Sequence, residues 1–261
     1  MRLQYMKIKT ILKQTVSVVA ATIAATTTLP AQTASTNPIP PDDDLILSQT
    51  MDPESPYYYP ELMLRYRSGD TTLSETDYYY LYYGYAFTED YRPLNPIPEE
   101  QLVLEAFQKT YSDPSAENTA ELINHALGVM QKDPFSLSNI NFLIYGYGMN
   151  GDSINERINY DRLNKLISAM WNSGTGTTES SPVHILRFSH ANDLLGAMEL
   201  EIVKRLVVSR TTEYVSVADS KGHRSGKGYY FDYSRIYRNA TETGSSAAGR
   251  QQKWKINDYS L

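Results

Sequence analysis

Apolar positions recur at two different periods along this chain, and the change of period divides it. From Tyr57 onward they fall every three or four residues, the spacing of one helix face. In "YYYPELMLRYRSGD" Tyr59, Leu62, Met63 and Tyr66 share a side, and Gly69 stands where the helix should stop. "TLSE", Thr72 to Glu75, has the form of a capping box and predicts the start of a second helix. That helix runs into "SETDYYYLYYGYAFTEDY", which holds seven tyrosines in eighteen residues. Tyr78, Tyr82 and Tyr85 align in one stripe, Tyr79 and Tyr83 in the next, and Tyr80 and Phe87 lie opposite. A helix aromatic all round is predicted to be buried on more than one face, between other helices. Four more helices follow at short joints: "PEEQLVLEAFQKTYSD", "SAENTAELINHALGVMQKDP", "FSLSNINFLIYGYGMNGD" and "SINERINYDRLNKLISAMWNSGTG". The first of these turns Leu102, Val103, Ala106, Phe107 and Tyr111 inward.

Past "SGTGTTESSP", a flexible joint by composition, the period becomes two. "VHILRF", "LEIVKRLVVSR", "TEYVSVADSKG" and "YYFDYSRIY" read as strands, with a short helix at "SHANDLLGAM" and a Gly-rich turn at "SKGHRSGKG". Strands so close in sequence pair locally, which predicts an antiparallel sheet. "KWKINDYSL" reads as an added edge strand. The expected fold class is α+β: a stack of helix hairpins followed by a small antiparallel sheet with a helix. The stack resembles tetratricopeptide repeats in part. Tyr80-x2-Tyr83-Gly84-x2-Phe87 mimics the first-helix signature, and Asp133-Pro134 is followed by Leu143, Tyr147 and Gly151-Asp152 at suitable spacing. Ile144 and Glu156 depart from that pattern.

The ends bear on location. Arg2, Lys7, Lys9 and Lys13 precede the apolar run "VSVVAATIAA", and "TLPAQT" follows with small residues. Basic, apolar, then small is the order of a secretory signal, with cleavage expected after Ala31. The run is short for a membrane span, so the chain is expected not to be integral to the membrane once cleaved. Residues 32–53, including "TNPIPPDDD", read as a flexible linker. Residues 54–174 form the helical-hairpin array, 183–238 the β-rich part and 239–261 a loose tail. The expected location is periplasmic or secreted.

Charge and composition narrow the chemistry. The chain holds 24 basic and 30 acidic residues; losing the signal leaves 20 against 30, about −10. Such a surface repels nucleic-acid backbones, so no nucleic-acid partner is expected. There is no cysteine. The protein therefore folds without disulfides, and thiol nucleophiles and thiolate metal sites are excluded.

"SGDTTLSETDYYYLYYGYAF", with "YRPL" soon after and the late "YYFD" strand, is similar to the DUF4919 family of exported proteins from Bacteroides-type bacteria. The resemblance covers roughly residues 51–237, and "LYYGY" is its distinctive part. It implies a Gram-negative envelope and carries no assigned catalytic residue.

The four histidines, His125, His184, His190 and His223, give no set of three or four ligands at zinc spacing. No metal and no cofactor is expected, and Asp42-Asp43-Asp44 lacks the glycine and distal glutamate of a calcium loop. Glu89 and Asp90, just past the tyrosine helix, are the candidate catalytic carboxylates. Against them stands the reading of a solvated turn, and Glu99-Glu100 are explained as helix-start acids. The candidate binding residues are Tyr58, Arg65, Tyr79, Tyr83, Tyr91 and Arg92. Tyrosine offers a rigid amphipathic face and arginine a directed charge. The competing reading is that these tyrosines knit the helical stack together. Function is read accordingly: a non-enzymatic protein- or peptide-binding or scaffolding module of the bacterial envelope. The alternatives are a glycan hydrolase with paired carboxylates and a structural envelope protein with no small ligand.

Overall fold

A computed structural model of the chain describes residues 37–219 and 224–242. The expected signal over 1–31 and the strand expected in "KWKINDYSL" lie outside the described residues. Helix α1 (Asp43–Met51) falls inside the expected linker. The acidic run is the reason. Asp42 caps the helix by accepting from the Asp44 and Leu45 N–H groups, and Asp43 and Asp44 fill its first turn, where carboxylates meet the positive end of the helix dipole. What reads as a solvated tether is a helix start, and α1 buries Ile46 and Thr50.

Helix α2 (Tyr59–Arg67) buries the four residues that its spacing assigned inward. Ser68 caps it and Gly69 follows at φ 79°. Helix α3 (Glu75–Gly84) carries the tyrosines and runs on into a 3-10 turn, Tyr85–Phe87. Its capping box joins Ser74 to Asp77 and not Thr72 to Glu75, because Thr72 is already bonded to Asp70.

Helices α4 (Glu99–Ser112), α5 (Ala116–Lys132), α6 (Leu137–Met149) and α7 (Ser153–Trp171) pack each against the next, and α7 also packs on α3. On α4 the residues Val103, Ala106 and Phe107 are buried, but Leu102 and Tyr111 are exposed. This helix packs chiefly on α5 and α6, so its inward stripe is narrow.

The sheet is mixed, not purely antiparallel. Its strands are β1 (Val183–His184), β2 (Glu201–Val207), β3 (Thr212–Ala218) and β4 (Arg224–Asp232), in the order β1-β4-β3-β2. The β2–β3 and β3–β4 pairs are antiparallel as expected, while β1 runs parallel to β4 with His184 opposite Asp232. "VHILRF" yields two strand residues rather than six, because α8 (Phe188–Ala197) begins within it. Helix α9 (Ser234–Glu242) follows β4 directly and takes in the start of the expected loose tail.

Between α7 and β1 the chain doubles back tightly. A side chain on Gly174 would place its Cβ 1.8 Å from the Pro182 carbonyl oxygen, so only glycine fits there. The helical and β parts share one core. Tyr82, Phe135, Leu166 and Trp171 from the stack belong to the same buried cluster as Val183, Leu195, Val215 and Phe231. A smaller cluster of Val103, Phe107, Leu122, Phe142 and Leu143 lies between α4, α5 and α6.

Candidate functional site

The tyrosine helix is a set of polar pins. The Tyr82 hydroxyl accepts from the Leu186 N–H (2.9 Å) and meets His190 Nδ1 at 2.8 Å. Tyr83 donates to the His184 carbonyl (2.9 Å) and Tyr91 to the Leu186 carbonyl (2.8 Å). Tyr85 donates to the carbonyls of Asp90 and Lys132, and Tyr66 of α2 donates to Pro134. Apart from Asp90, the acceptors lie in 184–186 and 132–134, where β1 and α5 end and the chain turns, and buried carbonyls there need a donor. The phenols supply it, while the rings of Tyr66, Tyr82 and Tyr85 pack around Phe135. Burial raises all five phenols well above the ordinary tyrosine value, so they stay protonated donors.

The candidate binding residues are therefore dispersed. Tyr83 is 0% exposed and Tyr91 2%; both belong to the core. Tyr79 is half-buried, touches the Tyr83 ring at 5.1 Å and donates to Pro40; burial pushes its phenol up to about 12. Tyr58 is half-buried at the N-cap of α2. Arg65 pairs with Asp70 (2.7 Å) and bonds Thr72. Bonds from Thr72 and then Arg65 hold the Asp70 carboxyl at about 2. Arg92 is exposed and reaches back to the Glu89 carbonyl. Glu89 and Asp90 are both exposed, in the turn after the 3-10 segment.

Two polar clusters arise that no spacing in the sequence announces. In the first, Asp43 of α1 is clamped by α9: Arg235 donates to Oδ1 through Nε (3.0 Å) and Nη2 (2.7 Å), and Arg238 pairs with Oδ2. Arg235 also lies over the Tyr83 ring and 3.4 Å from His184 Nδ1, which in turn is 3.3 Å from Asp232. Burial opposes ionisation of Asp232, but the bonds from His184 and Ser234 outweigh it and hold the carboxyl below its usual range. This cluster ties the first helix described to the last.

The second cluster is buried beside Phe135. Arg187 and Asp133 form an ion pair (2.7 Å), and on α8 His190 and Asp193 face the same region. Burial, helped by Arg187, drives His190 down to about 3. Burial, then the charges of Asp133 and Glu100, drives Asp193 up to about 7. Part of Asp193 reaches solvent, yet its Oδ2 is sealed without a hydrogen bond. Asp133 is likewise raised by burial, with Arg187 pulling the other way. Among the described residues no group of three or more His, Asp or Glu gathers in metal-binding geometry.

The surface offers a third feature. Strand β2 ends the sheet; among the described residues it has β3 on one side and no strand on the other. All five residues from Val203 to Val207 are exposed, with Leu206 at 50% and Val207 at 79%. Bare strand edges of this kind are templates for further pairing. "VKRLVV" signalled the strand by its β-branched content, but its edge position follows only from the sheet order.

Fold and surface together define an α+β protein in which a helical stack shares its core with a mixed sheet whose last strand, among the described residues, is β2. The chain belongs to the DUF4919 family, described as a domain of unknown function, whose match spans residues 44–242. No curated protein and no solved structure matches it. Among the described residues no helix is long and apolar enough to cross a membrane.

Proposed function

We propose that this DUF4919 chain is an exported, non-enzymatic binding or scaffolding module of the bacterial envelope, and that it holds an extended protein segment along the outer edge of β2. The observation that carries the reading is the run from Val203 to Val207, exposed throughout at the end of the sheet. An added strand would gain main-chain hydrogen bonds from that edge and apolar contact from Val203, Leu206 and Val207. Tyr83 and Tyr91 contribute little to a binding face on this reading, because both are committed to carbonyls of the core.

A photo-crosslinking residue at position 207, expressed in the native envelope, tests this. It should give a discrete protein adduct, while the same residue at Leu127, exposed on α5, should not. Adducts from position 127 and none from 207 would move the binding surface to the helical stack and sink the edge reading.

A further inference from the structure

We infer that residues 39–51 form a strap laid over a carboxylate-binding site, in which Asp43 stands as an intramolecular ligand that an outside carboxylate replaces when the strap lifts.

The strap is held along its length by polar contacts and at few points by apolar ones. Ile39 N–H donates to the Asn172 carbonyl at the end of α7 (2.8 Å), Tyr79 donates to the Pro40 carbonyl, and Arg235 Nη2 donates to the Pro41 carbonyl (2.9 Å). Within α1 only Ile46 and Thr50 are buried. Thr50 rests on Gly84, where a Cβ would come within 2.9 Å of its methyl group. The nine residues of α1 are too few to hold a helix in water on their own. Segments that bury little apolar surface open at lower free energy than the core. The strap therefore undocks and unwinds as one unit, ahead of the helices beneath it.

What it covers is prepared for an anion. The Arg235 guanidinium divides its edges between two neighbours. Nη1 belongs to the body of the protein, 3.4 Å from His184 Nδ1, and the group lies over the Tyr83 ring. Nε and Nη2 face the strap and meet Asp43 Oδ1 at 3.0 and 2.7 Å, while Arg238 takes Oδ2. Arg235 is buried, and among the described residues Asp43 is the one carboxylate bonded to it. Asp232, the other acid at hand, is engaged by His184, Ser234 and Thr211. Lifting the strap takes away the Asp43 carboxylate and the Pro41 carbonyl together. The Tyr83 ring and His184 keep the guanidinium in place, with its fork of N–H groups turned outward, the pattern that recognises carboxylates. A cation left there without a counter-charge is costly, so an incoming carboxylate is stabilised where Asp43 had been. His184 and Asp232 lie on β1 and β4, toward the opposite end of the strand order from β2, so the strap and strand docking stand or fall separately.

Hydrogen exchange of the native chain reads the opening. Amides of residues 44–51 should exchange about tenfold or more faster than those of α3 and α7; exchange at the rate of those helices would overturn the strap. Asp43→Ala in the whole chain reads the site, and Asp43→Asn, which keeps the shape, replaces it if the alanine variant is unfolded. Acetate should raise the melting temperature of the variant by about 2–4 °C over the same concentration of chloride, and adding Arg235→Met should abolish the rise. A peptide of residues 40–51 is the second probe. A rise with acetate shows a site open to small free acids, and a rise with the peptide alone shows one that takes acidic protein segments. No rise with either, or an equal rise in the native chain, would overturn the carboxylate site.

Discussion

Tyr59 and Tyr82 are both fully buried, yet their hydroxyls differ. The Tyr82 oxygen serves the Leu186 N–H and His190 Nδ1, whereas the Tyr59 oxygen is buried with no hydrogen bond. Removing a hydroxyl that leaves buried partners unmet costs about 1–3 kcal/mol. Tyr82→Phe should lose about that much in denaturant unfolding, while Tyr59→Phe should be neutral or stabilising. Asp193 gives a pH signature. Its folded value of about 7 lies above the ordinary 3.8, so the folded chain holds an extra proton between them. Stability from this group is greatest at low pH and is lost as pH rises through 7. His190 is opposite: folded near 3 against 6.5, its contribution is present above pH 6.5 and is lost as pH falls toward 3. Asp193→Asn should therefore raise stability at pH 8 by on the order of 2 kcal/mol, less than full burial implies because part of the residue meets solvent, and change little near pH 4. A thermal melt of each variant at both pH values checks this. The periodicity of the tyrosines showed that they are buried, and the choice between groove and core was legible as a choice. Which carbonyls they address was not, since Tyr82 and Leu186 are 104 residues apart and only the tertiary fold joins them.

Helix α1 shows how an element can hide in its own start signal. Three aspartates and a few prolines look like solvated chain, and α1 lacks a strong apolar stripe, burying only Ile46 and Thr50. Its hold depends on Asp43. Truncating one partner of a buried pair leaves the other charge unmet, and Arg235 is only 6% exposed. Asp43→Ala should cost about 2 kcal/mol or more, and a double-mutant cycle with Arg235→Met should return most of the loss as coupling. A cycle showing no coupling would make the clamp incidental. The helices α2 to α7 were legible because each combines a helical period with a start or stop signal. The parallel β1–β4 pair was not: a two-residue strand carries no period, and its pairing with a strand 48 residues on depends on α8 and the β2–β3 hairpin lying between them. Gly174→Ala should be the most damaging substitution in the α7–β1 joint, costing about 3 kcal/mol in overpacking, where a chemical-denaturation midpoint would register it.

At the scale of the molecule, two apolar clusters meet at α6. Ile140 and Ile144 face the main core, while Phe142 and Leu143 face the cluster under α4 and α5. Smaller clusters open at lower free energy than the core they adjoin. Hydrogen exchange should therefore release α4 and α5 before α3, α7 or β3, and uniform protection would show a single cooperative unit. The sequence divided the chain into a helical array and a β-rich part, but nothing in either pattern told whether they share a core; the tyrosines that join them lie in one part and their acceptors in the other. The clamp on Asp43 also sets a clock. Its partner Arg235 lies 192 residues later, and a ribosome adding about 5–20 residues per second needs roughly ten to forty seconds to reach it. Throughout that interval Asp43 has neither arginine of its clamp, so α1, which can already pack on α3, stays unlatched until α9 has been made.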